Sequence, residues 1–228
     1  MGRPPSRQAR SAPRRCPERA DSRQSLKKIG AIVLAAGGSS RLGYSKQLIE
    51  FQGSPLVRRA VLAVQATGAN PVVVVVGSDA EKVAVAIQDI DGITICRNTD
   101  WKSGLSSSLK AGLRAVQDFP AIDAVLVTLS DQPFISGDVL RQLVDCFTES
   151  HRLVAAEYEG VLGVPALFGK EYFDALDQLE GDAGAGSWLR GRKTEVTPVA
   201  VGGGAIDIDT ASDAQKLRQH DKPRHPDS

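Results

Sequence analysis

The chain has 228 residues, 42% of them hydrophobic and 24% charged, with a formal net charge of +1. That is globular composition with enough length for one sizeable core, and it excludes a strongly basic or acidic polymer-binding protein. Seven arginines (3, 7, 10, 14, 15, 19 and 23) against Glu18 and Asp21 give residues 1–25 about +5, so the remaining body is mildly acidic, which argues against a nucleic-acid-binding domain. No apolar run approaches the length of a membrane span, and no apolar segment follows the first arginines as it would in a secretory signal. No nucleic-acid partner, no membrane partner and a cytoplasmic location are therefore expected. Cys16, Cys96 and Cys146 are an odd set with no C-x-x-C spacing, so neither a disulfide framework nor a zinc site is expected. Bystander thiols in a reducing compartment fit better.

Residues 1–25, rich in Arg, Pro and Ser and without hydrophobic periodicity, read as a disordered tail. One domain is expected over 26–219. Its first element is a strand, Ile29–Leu34, followed by a helix, Pro55–Ala66, with Pro55 suited to the first turn. Then come a strand over Pro71–Val76, a helix over Asp79–Ile87, a strand over Ile93–Cys96 and a helix over Ser106–Val116. Ala121–Leu129 reads as a strand, Ser136–Cys146 as a helix capped by Ser136 or Asp138, and Leu153–Ala156 as a strand. Gly163-Val164-Pro165 reads as a turn. Glu195–Val201 and Ala205–Ile208 read as late strands, Ala211–Gln219 as a closing helix, and 220–228 as a disordered polar end. The strands are Val- and Ile-rich and mostly unalternated, which suits burial on both faces. Strand and helix in this rhythm mean βαβ units and an α/β fold with a mainly parallel sheet. Ligands of such sheets bind beyond the carboxyl ends of the strands. The loops after Leu34, Val76, Cys96 and Leu129 are therefore the places for a site.

The first of these loops, Leu34 to Lys46, reads LAAGGSSRLGYSK. A buried strand that breaks into Gly37-Gly38 brings backbone close to another group or needs positive φ. Ser39, Ser40 and the adjacent N–H groups are donors, and Arg41 and Lys46 are cations five residues apart. Amides to cradle oxygens, a guanidinium to fork onto two of them and an ammonium as a point charge suit a polyphosphate. A plain structural turn would need the glycines but not the two cations. Neither a Walker A loop nor G-x-G-x-x-G is present.

These residues resemble the L-A-A-G-x-S-x-R-x-G-x-x-K signature of the molybdenum cofactor guanylyl- and cytidylyltransferase (MobA/MocA-type) nucleotidyltransferases. Ala35-Ala36-Gly37 lies nearer the cytidylyl side. NTDWKSGLSSSLKAGL (Asn98–Leu113), LSDQP (Leu129–Pro133), GVPALF (Gly163–Phe168), LEGDAGA (Leu179–Ala185) and IDIDT (Ile206–Thr210) follow in family order, so the resemblance spans most of 29–215. It implies a three-layer, Rossmann-like sheet of the nucleotide-diphospho-sugar transferase (GT-A-like) type. It also implies Mg²⁺-dependent transfer of CMP from CTP, or from another NTP, to the terminal phosphate of a molybdopterin-type phosphorylated pterin cofactor, with release of pyrophosphate. A molybdenum hydroxylase is the implied recipient.

Site residues follow from the loops and the resemblance together. Arg41, Lys46 and Asp131 are the expected catalytic groups. Leu34, Ala35, Ala36, Gly37, Gly38, Ser39, Ser40, Arg41 and Lys46 are expected to bind nucleotide, joined by Gly77, Gly104 and Ser106. Gln132, Pro133 and Pro165 are expected against the acceptor. Asp131 ends a strand, where a carboxylate can hold Mg²⁺ against phosphate oxygens. Taken alone it would read as a turn or capping aspartate, and the resemblance implies the magnesium ligand. Asp209 stands open between second metal ligand and N-cap of the last helix, since Ala211 replaces the usual proline. Gly77-Ser78 is equally explained by a βα turn, and the Gly104–Ser108 segment by a serine-capped helix start. Val164 and Gly186 stand where many relatives carry histidine and arginine, which leaves acceptor identity open. Trp101 and Trp188 read as core or cleft wall. No Ser-His-Asp or Cys-His arrangement suggests covalent catalysis. The alternatives are a GTP- or sugar-phosphate-using transferase, an NAD(P)H-dependent reductase of heterocycle catabolism on the same fold, and a non-enzymatic cofactor carrier.

Overall fold

The computed structural model describes residues 27–38 and 43–202, together with residues 212, 213, 215 and 217. In chain order its elements are β1 (Ile29–Ala35), a small hairpin of β2 (Glu50–Phe51) and β3 (Ser54–Pro55), α1 (Leu56–Gln65), β4 (Val72–Val76) and α2 (Ala80–Val85). There follow β5 (Ile93–Arg97), α3 (Leu105–Gln117), β6 (Ala124–Leu129), α4 (Gly137–Cys146), β7 (Leu153–Tyr158), β8 (Val161–Gly169), α5 (Phe173–Asp177), α6 (Ala185–Arg190) and β9 (Thr197–Ala200). Seven strands make one sheet in the order β5-β4-β1-β6-β8-β7-β9. Strands β5, β4, β1 and β6 are parallel, β8 is antiparallel to both β6 and β7, and β9 is parallel to β7. The expected α/β class with a mainly parallel sheet is what the chain forms.

Alternation along the strands sends side chains to two separate cores. Ala31, Val33 and Ala35 of β1 and Val72, Val74 and Val76 of β4 pack in one layer with α1, α2 and α4. Ile32, Leu34, Val73 and Val75 pack in the other, against α3, α5 and α6. Every valine of β4 is buried, which is why its sequence shows no alternation. Burial of each such side chain is worth about 1.5–3 kcal/mol relative to exposure. Gly112 lets α3 lie close on the sheet: a Cβ there would stand 2.6 Å from Ile32 Cγ2 and 2.8 Å from Val75 Cγ2.

Several local expectations need correcting. The Gly163-Val164-Pro165 turn is part of β8, a nine-residue strand. Its pairing with β7 jumps from Ala155↔Ala166 to Ala156↔Gly163, so Val164 and Pro165 form a bulge. Proline has no N–H for a ladder and is tolerated where pairing is interrupted. The strand expected from Ala121 begins at Ala124, because Ala121 sits at φ 60° in the turn after Pro120. Pro55 is the N-cap of α1 rather than its first helical residue. Ser136, not Asp138, caps α4, its Oγ accepting the Val139 N–H at 3.4 Å. Cys96 is a free, half-buried thiol. The expected tails 1–25 and 220–228, the expected strand Ala205–Ile208 and most of the closing helix Ala211–Gln219 lie outside the described residues. Among the described residues no helix is long and apolar enough to cross a membrane.

Candidate active site

Strand order fixes where the site lies. After β1 the chain steps outward on one side to β4 and β5, then returns to add β6 on the other side of β1. Loops leaving β1 and β6 diverge at this reversal, and the crevice between them is the usual ligand position in open α/β sheets. Leu34 pairs with Leu129 across β1 and β6, and the Ser130 N–H donates to the Leu34 carbonyl at 3.1 Å, so the two loops start level.

A cavity of about 440 Å³ opens there, with Gly37, Gly38, Lys46, Trp101, Ser130 and Asp131 among its walls. Lys46 begins a short 3₁₀ turn, Lys46–Leu48, and its Nζ is ion-paired with Asp131 Oδ2. The Asp131 side chain is 7% exposed. Asp131 also lines the cavity. Gln47, 1% exposed, donates from Nε2 to the Gly37 carbonyl at 2.8 Å and so ties the glycine turn to the Lys46 turn. Just before that turn, Ser45 Oγ donates to Asp79 Oδ2 at 2.6 Å. Hydrogen bonds from Lys82 and from Ser45 hold the Asp79 carboxyl below its ordinary range. Gly38 approaches Trp101 so closely that a Cβ would fall 2.6 Å from the indole ring.

The segment around Trp101 is braced by its own polar groups. Asn98 Nδ2 donates to Ser107 Oγ at 2.9 Å and to Ser108 Oγ at 3.0 Å, and Asn98 Oδ1 accepts the Asp100 N–H. Gly104 has φ 105° and contacts the Gly181 backbone. The Ser106 N–H and Oγ both donate to the Gly181 carbonyl, at 3.1 and 2.8 Å. The LEGDAGA loop is thereby fastened to the start of α3. A second cavity of about 570 Å³ lies on the other side of this junction, between β8 and α6, and shares Leu105, Leu129 and Asp182 with the first.

Of the residues expected on the nucleotide, Leu34, Ala36, Gly37, Gly38, Lys46 and Gly104 line the first cavity together with Asp131. Ala35 points into the core instead. Gly77 is wedged between Ala36 and Trp101, outside the cavity lining, and Ser106 spends its hydroxyl on Gly181, where Ser108 lines the cavity in its place. Gln132 lines the second cavity, while Pro133 and Pro165 line neither. Ser39, Ser40, Arg41 and Asp209 lie outside the described residues. Sequence reasoning missed Gln47, Lys102 and Asp182 in the first cavity and Tyr158 and Arg190 in the second. Gln47 follows Lys46 directly, and that adjacency to a charged loop residue was the only signal for it.

A buried carboxylate on the wall of a cavity suits Mg²⁺ or a similar hard cation, which takes one or two protein carboxylates and completes its shell with water and phosphate oxygens. Among the described residues there is no group of three or more His, Cys, Asp or Glu side chains that would form a metal cage by itself.

A profile of the MobA-like NTP transferase domain matches residues 31–197. Nicotine blue oxidoreductase of Paenarthrobacter nicotinovorans is 31% identical over 175 residues, 71% of this chain and 81% of that protein. The bifunctional IspD/IspF enzyme of Caulobacter vibrioides is 31% identical over 124 residues, 54% of this chain but only 32% of the enzyme's length. The crystal structure of Rv0371c from Mycobacterium tuberculosis superposes with a TM-score of 0.74 at 26% identity, covering 86% of this chain and 100% of that one. A structure of that protein in complex with manganese shares the fold, with a TM-score of 0.70 at 23% identity over 86% of this chain and 100% of that one. The chain belongs to the MobA-like NTP transferase family and is an enzyme of the nucleotidyltransferase type.

Proposed function

We propose that the enzyme transfers CMP from CTP to the terminal phosphate of a molybdopterin-type cofactor, in the presence of Mg²⁺, with release of pyrophosphate. The observation that carries this reading is the Lys46–Asp131 pair on the wall of a cavity framed by the glycine turn after β1. An oxygen of the acceptor phosphate forms a bond to the α-phosphorus of the nucleotide. The bond from that phosphorus to the β-phosphate oxygen breaks, and pyrophosphate leaves with the electron pair. A phosphate monoester dianion is already a nucleophile, so no side chain has to remove a proton, and the protein's work is positioning and charge stabilisation.

Lys46 holds Asp131 in this structure. With triphosphate bound, the ammonium moves onto phosphate oxygens and frees Asp131, with Asp209 as a second carboxylate, to hold the cation. Bound there, the divalent ion neutralises phosphate charge. Arg41 completes the grip on the triphosphate. Residues 26–219 form the catalytic unit and a molybdenum hydroxylase receives the product. CTP is preferred over GTP on the Ala35-Ala36-Gly37 version of the turn.

A nucleotide panel by thermal shift with Mg²⁺, followed by a pyrophosphate-release assay with the best ligand, tests the reading. No shift with any NTP and no pyrophosphate release with phosphorylated acceptors would overturn it. One observation favours a second reading, an NAD(P)H-dependent reductase: the 31% identity to a protein named for nicotine blue oxidoreduction, over 81% of its length. Loss of NADPH absorbance with an oxidised heterocycle, in the absence of any NTP, would select it.

A further inference from the structure

The turn after β4, a candidate place for a site on strand order, sends none of Gly77, Ser78 and Asp79 to the lining of the first cavity. It is tied instead to both ends of the glycine loop. At the entry, the Ser78 N–H donates to the Ala36 carbonyl at 3.1 Å. Gly77 packs so closely there that a Cβ would stand 2.9 Å from both the Cβ and the carbonyl oxygen of Ala36. At the exit, Asp79 Oδ2 accepts the Ser45 hydroxyl at 2.6 Å, a length typical of a hydrogen bond to an ionised acceptor. Three consecutive residues thus hold the chain just before Gly37 and just before Lys46.

Asp79 is placed for this contact rather than for its own helix. It occupies the N-cap position of α2, where an aspartate ordinarily accepts an N–H of the first turn, yet its side chain caps no N–H. Its backbone is left-handed at φ 52°, a conformation that a residue other than glycine keeps only where its surroundings impose it. The carboxylate turns instead to Ser45 through Oδ2 and to Lys82 Nζ, 2.8 Å away, through Oδ1. The Lys82 side chain is 71% exposed, and an exposed pair of that kind fixes little. Ser45 is buried, and its carbonyl accepts the Leu48 N–H at 3.1 Å, which opens the turn that carries Lys46.

We infer that the turn between β4 and α2 is the bracket of the glycine loop, and that Asp79 is a positioning residue: through Ser45 it fixes the Lys46 ammonium without meeting the nucleotide. The consequence for catalysis rests on the phosphate-binding role proposed above for Lys46, but the bracket itself holds without ligand. A loop that grips a polyphosphate must be set before the ligand arrives, because a misplacement of about 1 Å already forfeits much of its effect.

The test has two readouts: the acetylation rate of each lysine in ligand-free protein, followed by mass spectrometry, and calorimetric titration of tripolyphosphate with Mg²⁺. Asp79→Gly removes the carboxylate while suiting the left-handed backbone, and Ser45→Ala removes the hydroxyl from the other side. Asp79→Asn keeps an acceptor oxygen, and Lys82→Ala removes only the outer ion pair. In Asp79→Gly and in Ser45→Ala, Lys46 should be acetylated about 10-fold faster and tripolyphosphate should bind about 10-fold more weakly, with the double variant no worse than either alone. Asp79→Asn and Lys82→Ala should stay near wild type in both readouts, Lys102 should keep one acetylation rate throughout, and melting curves check that each variant is folded. Unchanged Lys46 acetylation or unchanged tripolyphosphate affinity in the two deletions, additive losses in the double variant, or an equal effect of Lys82→Ala would each overturn the inference. Faster Lys46 acetylation in a protein whose wild type binds neither tripolyphosphate nor CTP would leave the bracket standing and count against the nucleotidyl-transfer reading alone.

Discussion

Gly104 should be the least replaceable glycine near the site. Its backbone, at φ 105° and ψ 177°, occupies a region that essentially only glycine visits, and forcing another residue there costs about 1–3 kcal/mol. A Cβ would also lie 2.3 Å from both the carbonyl carbon and the oxygen of Gly181, and 2.9 Å from the Asp182 nitrogen. These are backbone atoms, which cannot swing aside as a long side chain would, so an overpacking cost of about 1–3 kcal/mol adds to the strain. For Gly104→Ala we expect about 4 kcal/mol in all, or a fall in Tm of about 8–16 °C for a chain of this size. Gly181→Ala is the control. It has φ 57° but nothing within 4 Å of its Cβ, so it pays only the left-handed penalty of about 1–2 kcal/mol. Both proteins would be compared by thermal unfolding. Relief in Gly104→Ala can come only from displacing the Gly181–Asp182 peptide, which takes both Ser106 hydrogen bonds and carries Asp182 between the two cavities. The surviving folded fraction should therefore also bind nucleotide more weakly. A Gly104→Ala protein that melts within about 3 °C of wild type, or no lower than Gly181→Ala, would refute the argument.

Asp131→Asn should lower pyrophosphate release about 10²–10³-fold, the scale of one electrostatic stabiliser, and near-normal turnover at low Mg²⁺ would remove it from catalysis. Lys46→Ala should raise the KM for the triphosphate, and an unchanged KM would dissociate it from the site. Gln47→Leu strands the Gly37 carbonyl but also removes a buried amide oxygen that lacks a partner, so the stability loss should be about 1 kcal/mol while the KM for nucleotide rises. If stability falls and KM does not, Gln47 is structural only. Burial pushes the Glu171 carboxyl up, but its hydrogen bonds from Arg152 and the guanidinium charge outweigh this and leave it below its usual 4.5. A depressed carboxyl contributes stability above its unfolded value and loses it as pH falls through the folded one. Glu171→Gln should therefore lower Tm at pH 7, and the gap should close on acidification below about pH 4.5. A gap of constant size across that range would show that the pair is not what titrates.

The parallel half of the sheet was legible because double burial writes itself into the sequence. Val72 to Val76 admits no solvent face, and the same holds for β1 and β6. β8 was hidden because its one proline sits in a bulge, and the Gly163-Val164-Pro165 spelling of a bulge is also the spelling of a turn. At the site, the loop positions of Lys46 and Asp131 followed from strand ends, and the structure brings the two side chains together. Ser106 and Gly77 show the limit. A serine after a glycine turn offers a hydroxyl, but its taker is a carbonyl 75 residues away in sequence, and no local spacing reports that. Arg190 was unreadable for the same reason, since its place depends on the space left by Gly186 and on the nearness of β8.

The Lys46–Asp131 pair makes little sense as a device for stability. Its side chains are 19% and 7% exposed, and taking two charges that far out of water costs several kcal/mol that their attraction only partly returns. An apolar pair would fill the same space at no such cost. On the function proposed above, what the pair provides is a site whose charge can be redistributed without reorganising the fold. The ammonium and the carboxylate neutralise each other in the crevice, and on that reading each would exchange its partner once a polyphosphate and its cation arrived. Rigid surroundings make the exchange productive. Gln47 fixes the glycine turn above, the Leu34–Ser130 bond fixes the floor, and Trp101 closes the side against Gly38. Because Asp182 lines both this crevice and the cavity between β8 and α6, the two pockets share one boundary, and the packing of Gly104 on Gly181 fixes where that boundary stands.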